Sequence, residues 1–281
     1  MKWWYRVVRK RPVDASSLAF QRMRDDFEKR LEMWAGLPVQ GPSRSEHVFV
    51  LVLPWLRSAV PFYSLEVALR LRQLGFKVTL VWDDINLFGN APRTDCSQIE
   101  ATLHRVSHTF ELIRVRDFPK ERWIPSADHD GIAESLLYEN AIWLKRGECT
   151  VDEFQLAYPK ARDNVVQHLA RVSGILKEHT CDWMLIPGGI FAASSIWVAG
   201  TRDAGIEFTT FDSGLASTIL CHRGVAAQKD DLPQSFQRTW NPSSPAVDFG
   251  IAFGKAELER RRLGSGRAFV FQISSPSEAG R

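Results

Sequence analysis

The chain has 281 residues, of which 44% are hydrophobic and 25% are charged, and its formal net charge is +3. This balance is typical of a globular protein and excludes wholesale disorder, because disordered chains hold too few apolar residues to build a core. The small net charge excludes a nucleic-acid-binding surface over the whole chain, so no nucleic-acid partner is expected. A chain shorter than roughly 300 residues fits one large domain.

Cysteine spacing and the lack of long apolar runs predict an intracellular protein. The four cysteines form no CxxC pair, so the sequence indicates neither a zinc site nor a disulfide framework. No stretch approaches about 18 uninterrupted apolar residues, and the N-terminus lacks the apolar run of a secretory signal. We therefore predict a cytoplasmic protein without a metal site or a membrane span.

The first residues combine basic and aromatic side chains. Lys2 and Arg6 flank Trp3, Trp4 and Tyr5, and indole rings beside cations suit the headgroup level of an anionic membrane. One hypothesis is therefore a peripheral contact of this segment with the inner membrane face. The alternative is a solvated basic chain end.

The first predicted element is an amphipathic helix. Apolar residues recur at helical spacing over residues 14–34, and the pattern stops near Gly36. Residues 38–45 contain Pro, Gly and Ser, as a linker does. We interpret residues 1–45 as an N-terminal helical appendage to a main domain.

A βαβ unit opens the main domain. Residues 48–53 are continuously apolar, which predicts a strand buried on both faces, as in a parallel sheet. A helix is predicted over residues 62–74, with Gly75 as its stop, and a second strand over residues 76–82. The crossover of this unit should be right-handed.

The middle of the chain predicts elements that extend and cover the sheet. A helix over residues 98–107 precedes a short strand over residues 110–115. Residues 118–131 contain Pro, Trp and acidic residues and are predicted to be irregular. Residues 132–145 and 150–179 are predicted to be mostly helical.

A second unit repeats the order of the first. Residues 183–186 predict a buried strand that leads into a Pro-Gly-Gly turn at residues 187–189. A helix over residues 190–203 and a strand over residues 206–211 follow. Beyond Gly214 the periodicity weakens.

The C-terminal part predicts few regular elements. Residues 230–246 indicate a loop, residues 253–262 a charged helix and residues 269–272 a terminal strand. The whole pattern predicts an α/β fold with a Rossmann-like parallel sheet flanked by helices, spanning residues 46–272. A polar tail at residues 273–281 follows.

Polar residues just after the predicted strands are the candidates for a functional site, because ligands bind beyond the carboxyl ends of strands in open parallel sheets. Asp83 and Asp84 are the predicted catalytic residues, since a carboxylate can act as a general base or accept bonds from sugar hydroxyls. The alternative is that both are turn or cap residues. The predicted substrate-binding residues are Trp55, Arg57, Asn86, Gly188, Gly189, Ser194, Asp212 and Ser213.

The Pro-Gly-Gly turn at residues 187–189 has two interpretations. Glycines allow close approach of a ligand, and the N-terminus of the next helix offers amides to an anion or a sugar hydroxyl. Alternatively, the glycines only form a tight strand-to-helix turn. The sequence does not decide between a ligand site and a structural turn.

Several known kinds of site are not indicated. The first strand-to-helix turn has no glycine, and no glycine-rich run ends in Gly-Lys-Ser or Gly-Lys-Thr, which disfavours nicotinamide binding and a P-loop. No cofactor is therefore expected. The seven histidines show no metal-ligand spacing, and we interpret each as structural or exposed.

Three stretches carry a family resemblance, namely Val48-Phe49-Val50-Leu51-Val52-Leu53-Pro54-Trp55, Leu74-Gly75-Phe76-Lys77-Val78 and Leu185-Ile186-Pro187-Gly188-Gly189. Through them the chain resembles the N-terminal, acceptor-side domain of GT-B glycosyltransferases, particularly those of bacterial polysaccharide biosynthesis. The resemblance implies one Rossmann-like half of a two-domain enzyme, a glycan acceptor in its cleft, and a catalytic carboxylate or histidine. It also implies a C-terminal domain that holds the nucleotide-sugar donor.

The chain departs from this family in length. A second Rossmann-like domain needs on the order of 150 further residues, so the expectation is a truncated chain, one that works with a partner, or a fold kept for binding alone. Nucleotide-sugar binding is then expected only when a donor domain is supplied.

The leading hypothesis is an acceptor-side domain that, once completed, takes part in transferring a sugar from a nucleotide-sugar to a glycan acceptor. One alternative is a non-catalytic module that binds a saccharide or a partner through the same sheet edge. A second alternative is a protein similar to sugar-nucleotide epimerases.

Overall fold

The structure is a computed structural model that describes residues 14–55, 60–88, 93–119, 123–125, 127–145, 150–213 and 218–226, together with helical positions 252, 255, 256 and 259. The N-terminal aromatic and basic segment, Arg57, the predicted loop at 230–246 and the predicted strand at 269–272 lie outside these residues. Only those isolated positions fall in or next to the predicted helix at 253–262.

The described residues form an α/β fold. The helices are α1 (Asp14–Ala35), α2 (Val60–Gln73), α3 (Arg93–Val106), α4 (Ala127–Lys145), α5 (Val151–Ala157), α6 (Ala161–Glu178) and α7 (Ala193–Asp203). The strands are β1 (His47–Val52), β2 (Lys77–Trp82), β3 (Glu111–Arg114), β4 (Trp183–Pro187), β5 (Glu207–Ser213) and β6 (Thr218–His222).

The strands form one mostly parallel six-stranded sheet in the order β3-β2-β1-β4-β5-β6. Val50 of β1 lies opposite Leu80 of β2 on one side and Leu185 of β4 on the other. The prediction that residues 48–53 and 183–186 are strands of one parallel sheet is therefore confirmed, and the two strands are neighbours in it. This is the strand order of a Rossmann-like sheet, in which the winding reverses between β1 and β4.

The sheet differs from the prediction at one edge, where β6 runs antiparallel to β5. The sequence predicts a parallel sheet and no strand at this position. Leu220 of β6 is exposed while its neighbour Cys221 is fully buried, as expected of an edge strand with one covered face. A short strand of this kind lacks the continuous apolar run that marked the central strands.

Several helix boundaries also differ from the prediction. The predicted helical stretch at 150–179 is divided into α5 and α6, and Pro159 lies in the break, because proline and the residue before it resist helical geometry. Helix α5 starts with a capping box in which Thr150 Oγ1 accepts from the Glu153 amide at 3.2 Å and a Glu153 carboxylate oxygen accepts from the Thr150 amide at 3.0 Å. Helix α4 starts at Ala127 rather than at 132, and α7 at Ala193 rather than at 190.

Two apolar clusters cover the two faces of the sheet. Alternate residues of β1 point to opposite faces, so Phe49 and Leu51 join the cluster formed with α4 to α7, whereas Val50 joins the cluster formed with α1 to α3. Helix α1 packs in the cluster that contains Val50, since Phe27 is buried and its ring stacks on Phe62 at a centroid distance of 5.4 Å. Each such buried side chain stabilises the fold by about 1.5–3 kcal/mol.

Of the helices that the structure describes, none combines the length and the apolar character that crossing a bilayer requires. The predicted peripheral contact with a membrane concerns residues that precede the described part of the chain.

Candidate functional site

Asp83 is the residue directly after β2, and it connects the end of that strand to two helices. Its side chain is fully buried. Carboxylate oxygen Oδ2 accepts hydrogen bonds from His168 Nε2 of α6 and from Trp197 Nε1 of α7, both at 2.7 Å. The other oxygen, Oδ1, accepts from the Ile85 amide at 3.1 Å. Asp83 therefore lies between β2, α6 and α7.

The surroundings of Asp83 favour its charged form. Burial by itself raises the pKa of Asp83, because a buried anion loses its hydration. The hydrogen bonds from His168, Trp197 and the Ile85 amide, together with the positive charge that His168 carries when its ring is protonated, outweigh burial and hold the pKa of Asp83 below its ordinary value. Since an ionised carboxylate only accepts, Nε2 of His168 is the donor in this pair.

The second ring nitrogen of His168 has a different environment. The His168 side chain is only 1% exposed, and its Nδ1 has no hydrogen-bond partner among the described residues. When the Nε2 proton is donated to Asp83 in the neutral ring, Nδ1 carries a lone pair and can accept a proton or a hydrogen bond. Carboxylate and imidazole thus have the arrangement of a general base with its orienting partner.

His168 lines a pocket of about 420 Å³ between α6 and the segment after β2. This pocket lies beyond the carboxyl end of β2, on the side of the sheet where ligands bind in folds of this order. The other polar lining residues are Asn86, Lys160, Asp163, Asn164, Gln167 and Arg171.

Helical spacing explains why α6 presents this polar face. Asn164 and His168 are one turn apart and share one side of the helix, whereas Val165, Leu169 and Val172 form the buried stripe that packs on the sheet. Asn164 Nδ2 also donates to the Leu87 carbonyl at 2.8 Å, which attaches the segment after β2 to α6. That bond fixes one wall of the pocket.

Asp84, the second predicted catalytic residue, is in an ion pair. Its carboxylate contacts the guanidinium of Arg116, which follows β3 and also lies 3.2 Å from Glu100. The Asp84 side chain is only 6% exposed. It connects the ends of neighbouring strands, and a role as proton acceptor would require Arg116 to move away.

The Pro-Gly-Gly turn follows β4 and has φ values of 69° at Gly188 and 99° at Gly189, which favour glycine. The Gly188 amide donates to the Phe211 carbonyl at 2.7 Å, and the Gly189 amide donates to Ser194 Oγ at 2.7 Å. A Cβ on Gly189 would lie 3.0 Å from methyl groups of Thr210 and Val225. In this structure both amides are therefore used within the protein, as the structural interpretation of the turn expects.

Ser194 and Ala192 support the same turn. Ser194 is fully buried and donates from Oγ to the Pro187 carbonyl. Ala192, at the start of α7, has a φ of 51°, a strained value for a residue with a Cβ. Its amide donates to Oδ1 of the buried Asn140 at 2.7 Å. The segment from β4 to α7 is thus fixed by internal hydrogen bonds.

The remaining predicted residues lie at the ends of β1 and β5. Trp55 packs over the turn, where a Cβ on Gly188 would be 3.6 Å from the indole ring. Asp212 is half-buried near the end of β5, and Ser213 is the last residue of that strand, with its side chain outside the described part. Of the predicted residues, Asn86 lines the pocket, and Asp83 reaches it through His168.

Four residues of the site are not predicted from the sequence, namely Lys160, His168, Arg171 and Trp197. The histidine is 85 positions from Asp83, so no local pattern pairs them. A signal was nevertheless present, because polar residues recur at helical spacing beside the apolar stripe of the 150–179 prediction. The stripe itself indicates only core packing.

Comparisons with known proteins give no family for the chain, since no family model, no curated protein and no solved structure matches it. The class is therefore defined by fold and site alone. The chain is a mostly parallel, Rossmann-like α/β protein with a polar pocket beyond the end of β2 and a buried Asp–His pair at its wall. Within the described residues, no group of His, Cys, Asp and Glu side chains is placed to hold a metal ion.

Proposed function

We propose that the chain is the acceptor-side domain of a glycosyltransferase and binds a saccharide in the pocket between α6 and the segment after β2. The observation that carries this proposal is the Asp83–His168 pair, whose histidine is one of the residues that line that pocket. In the proposal His168 is the general base. Asp83 is a positioning residue, because its carboxylate accepts hydrogen bonds from His168, Trp197 and the Ile85 amide, and Asp83 is not among the residues that line the pocket.

The pair suits the chemistry of sugar transfer. The acceptor hydroxyl forms a bond to the anomeric carbon of the donor, the bond from that carbon to the nucleotide diphosphate breaks, and the hydroxyl proton goes to Nδ1 of His168. The Asp83 carboxylate stabilises the imidazolium that results and keeps the ring in the required tautomer. As the GT-B resemblance implies, the nucleotide-sugar is held by a second domain.

The pocket lining supports a saccharide as the ligand. A sugar hydroxyl both donates and accepts, and the side-chain amides of Asn86, Asn164 and Gln167 also offer both functions. The volume of about 420 Å³ lies within the range of roughly 300–1,000 Å³ that is usual for small-ligand sites.

The test is the substitution His168→Gln, since a glutamine amide can still donate to Asp83 but has no basic nitrogen at the position of Nδ1. We expect saccharide affinity to change little and glycan transfer to fall roughly a hundredfold or more, the usual contribution of a general base. Binding is measured by calorimetry with a saccharide panel. Transfer is measured as label from nucleotide-sugars incorporated into glycan, in an extract of source cells that lack the gene, after the purified chain is added back.

The matched control is His104→Gln, which changes an exposed histidine on α3. Transfer that survives His168→Gln at the level of this control contradicts the base assignment. Failure of the wild-type chain to bind any saccharide contradicts the proposed function.

A non-catalytic saccharide-binding module is the second candidate, and one observation favours it. Several polar groups beyond the carboxyl ends of the strands already have partners within the protein, including the amides of Gly188 and Gly189 and the ion-paired carboxylate of Asp84. In this case the wild-type chain binds saccharide but transfers none. Nδ1 of His168 serves only to accept a hydrogen bond from the ligand, so His168→Gln weakens the binding itself.

A further inference from the structure

The charges in the wall of the saccharide pocket are distributed unevenly. Lys160 and Arg171 are its lysine and arginine, and Asp163 is the only carboxylate among the described residues that line it. Lys160 and Asp163 are exposed, whereas Arg171 is 9% exposed. The pocket therefore has a solvent-facing end with both charges and a buried end with a cation.

The geometry of α6 keeps these two ends apart. Lys160 precedes Arg171 by 11 positions, about 16 Å along a helix axis. Asp163 lies close to Lys160 along the chain, and their opposite charges offset each other at the solvent-facing end. His168 is three positions before Arg171, so the two side chains share one side of the helix at the buried end.

We propose that the saccharide bound here is acidic, and that Arg171 binds its carboxylate or phosphate group while a nearby hydroxyl lies on Nδ1 of His168. This inference rests on the proposed function and adds the substrate class to it. A second observation indicates a ligand, since His168 is among the residues that line the pocket and its buried Nδ1 has no hydrogen-bond partner among the described residues.

A guanidinium is suited to this role. It presents donors in a planar fork that matches both oxygens of a carboxylate or phosphate. Arg171 also has an interaction within the protein, and its five N–H donors are enough to keep that interaction and bind an anion as well. At a buried position the attraction is screened less by water and salt than at the surface.

The first experiment compares ligands on the whole chain by calorimetry. The probes are a panel of neutral oligosaccharides, their uronate and phosphate-bearing counterparts of equal length, and inorganic phosphate alone. We expect an acidic member to bind at least about tenfold more tightly than its neutral counterpart and its affinity to fall as salt is added. Comparison of the uronate-bearing with the phosphate-bearing saccharides shows whether the bound anionic group is a carboxylate or a phosphate.

The second experiment changes the arginine. Arg171→Lys keeps the charge and loses the planar fork, and Arg171→Met loses both, so the preference for the acidic saccharide should fall about tenfold or more while neutral binding is kept. Lys177→Met is the matched control, since Lys177 lies on the same helix outside this pocket and is exposed. Circular dichroism checks that each variant folds, and Arg171→Lys replaces Arg171→Met if the latter unfolds.

Each outcome separates the inference from the proposed function. Neutral and acidic saccharides that bind equally, or an acidic preference that survives both arginine variants, overturn the inference and leave the proposed function standing. Phosphate binding that depends on Arg171, without binding of any saccharide, supports an anion site and contradicts the proposed function. No binding of any probe overturns both.

Discussion

At the scale of residues, the Asp83 carboxylate has three hydrogen-bond donors and no exposure to solvent. An isolated buried charge is costly, and that cost is offset here by His168, Trp197 and the Ile85 amide. The same contacts orient the imidazole and direct its second nitrogen away from Asp83. Removal of the carboxylate should therefore affect both the stability of the protein and the orientation of the His168 ring.

We expect Asp83→Asn to destabilise the protein by about 3 kcal/mol near neutral pH, because it removes the charge that His168 and Trp197 surround. The pKa of Asp83 is lowered on folding, so its contribution is present above the ordinary value of 3.8 and is lost as pH falls through the folded-state pKa. The difference in the free energy of unfolding between wild type and Asp83→Asn should thus become smaller as the pH is lowered. Urea unfolding at about pH 7 and about pH 3 measures it. An undiminished difference at the lower pH contradicts this account.

At the scale of elements, the contact between α6 and α7 depends on a glycine. A Cβ on Gly200 of α7 would lie 2.6 Å from Cγ1 of Val172 on α6, which is closer than real Cβ contacts come. Valine is stiff at χ1 and cannot easily turn away. The small residue therefore lets the two helices that hold Trp197 and His168 approach each other.

We expect Gly200→Ala to destabilise the protein by about 1 kcal/mol, because the overlap with Val172 exceeds the gain in helix propensity. Combining it with Val172→Ala should relieve the overlap, so the double variant should be more stable than additivity predicts. Gly131→Ala on α4 is the control, since its Cβ meets nothing within 4 Å and should stabilise the helix by about 1 kcal/mol. The free energies of unfolding are measured with urea. If the effects of Gly200→Ala and Val172→Ala simply add in the double variant, the packing argument is wrong.

The elements that the sequence predicts best are those whose pattern is fixed by burial alone. Strands β1, β2 and β4 appear as apolar runs because both faces of the sheet are covered. The break between α5 and α6 had readable signals in Pro159 and in the capping box of Thr150 and Glu153, yet the long apolar period obscured it. The antiparallel β6 was missed because an edge strand has only one buried face.

The candidate site was predictable only in part, for a similar reason. The sequence predicts that Asp83 directly follows β2, and the structure confirms this. The rule for parallel sheets predicts that ligands bind at this edge. The partners of Asp83 come from α6 and α7, and such contacts depend on tertiary packing rather than on local spacing. For the same reason, the sequence left open whether the Gly188 and Gly189 amides serve a ligand or the fold, and the structure gives them partners within the protein.

At the scale of the whole molecule, the fold brings distant segments to one edge of the sheet. The pocket joins the segment after β2 to α6, and the Asp–His pair in its wall is tied to α7 through Trp197. A ligand in this pocket would therefore contact parts of the chain that lie far apart in sequence. The central claim is that a saccharide hydroxyl binds at Nδ1 of His168.

The most direct test of this claim is a long-range ¹H–¹⁵N spectrum of the protein with labelled histidines, recorded while an acidic saccharide from the panel is added. We predict that the Nδ1 signal of His168 shifts as saccharide is added and that the shift saturates with the same dissociation constant as calorimetry gives. The signals of His104 and His108, two exposed histidines outside the pocket, should stay unchanged. A saccharide that binds and leaves the His168 signal unmoved would contradict the account.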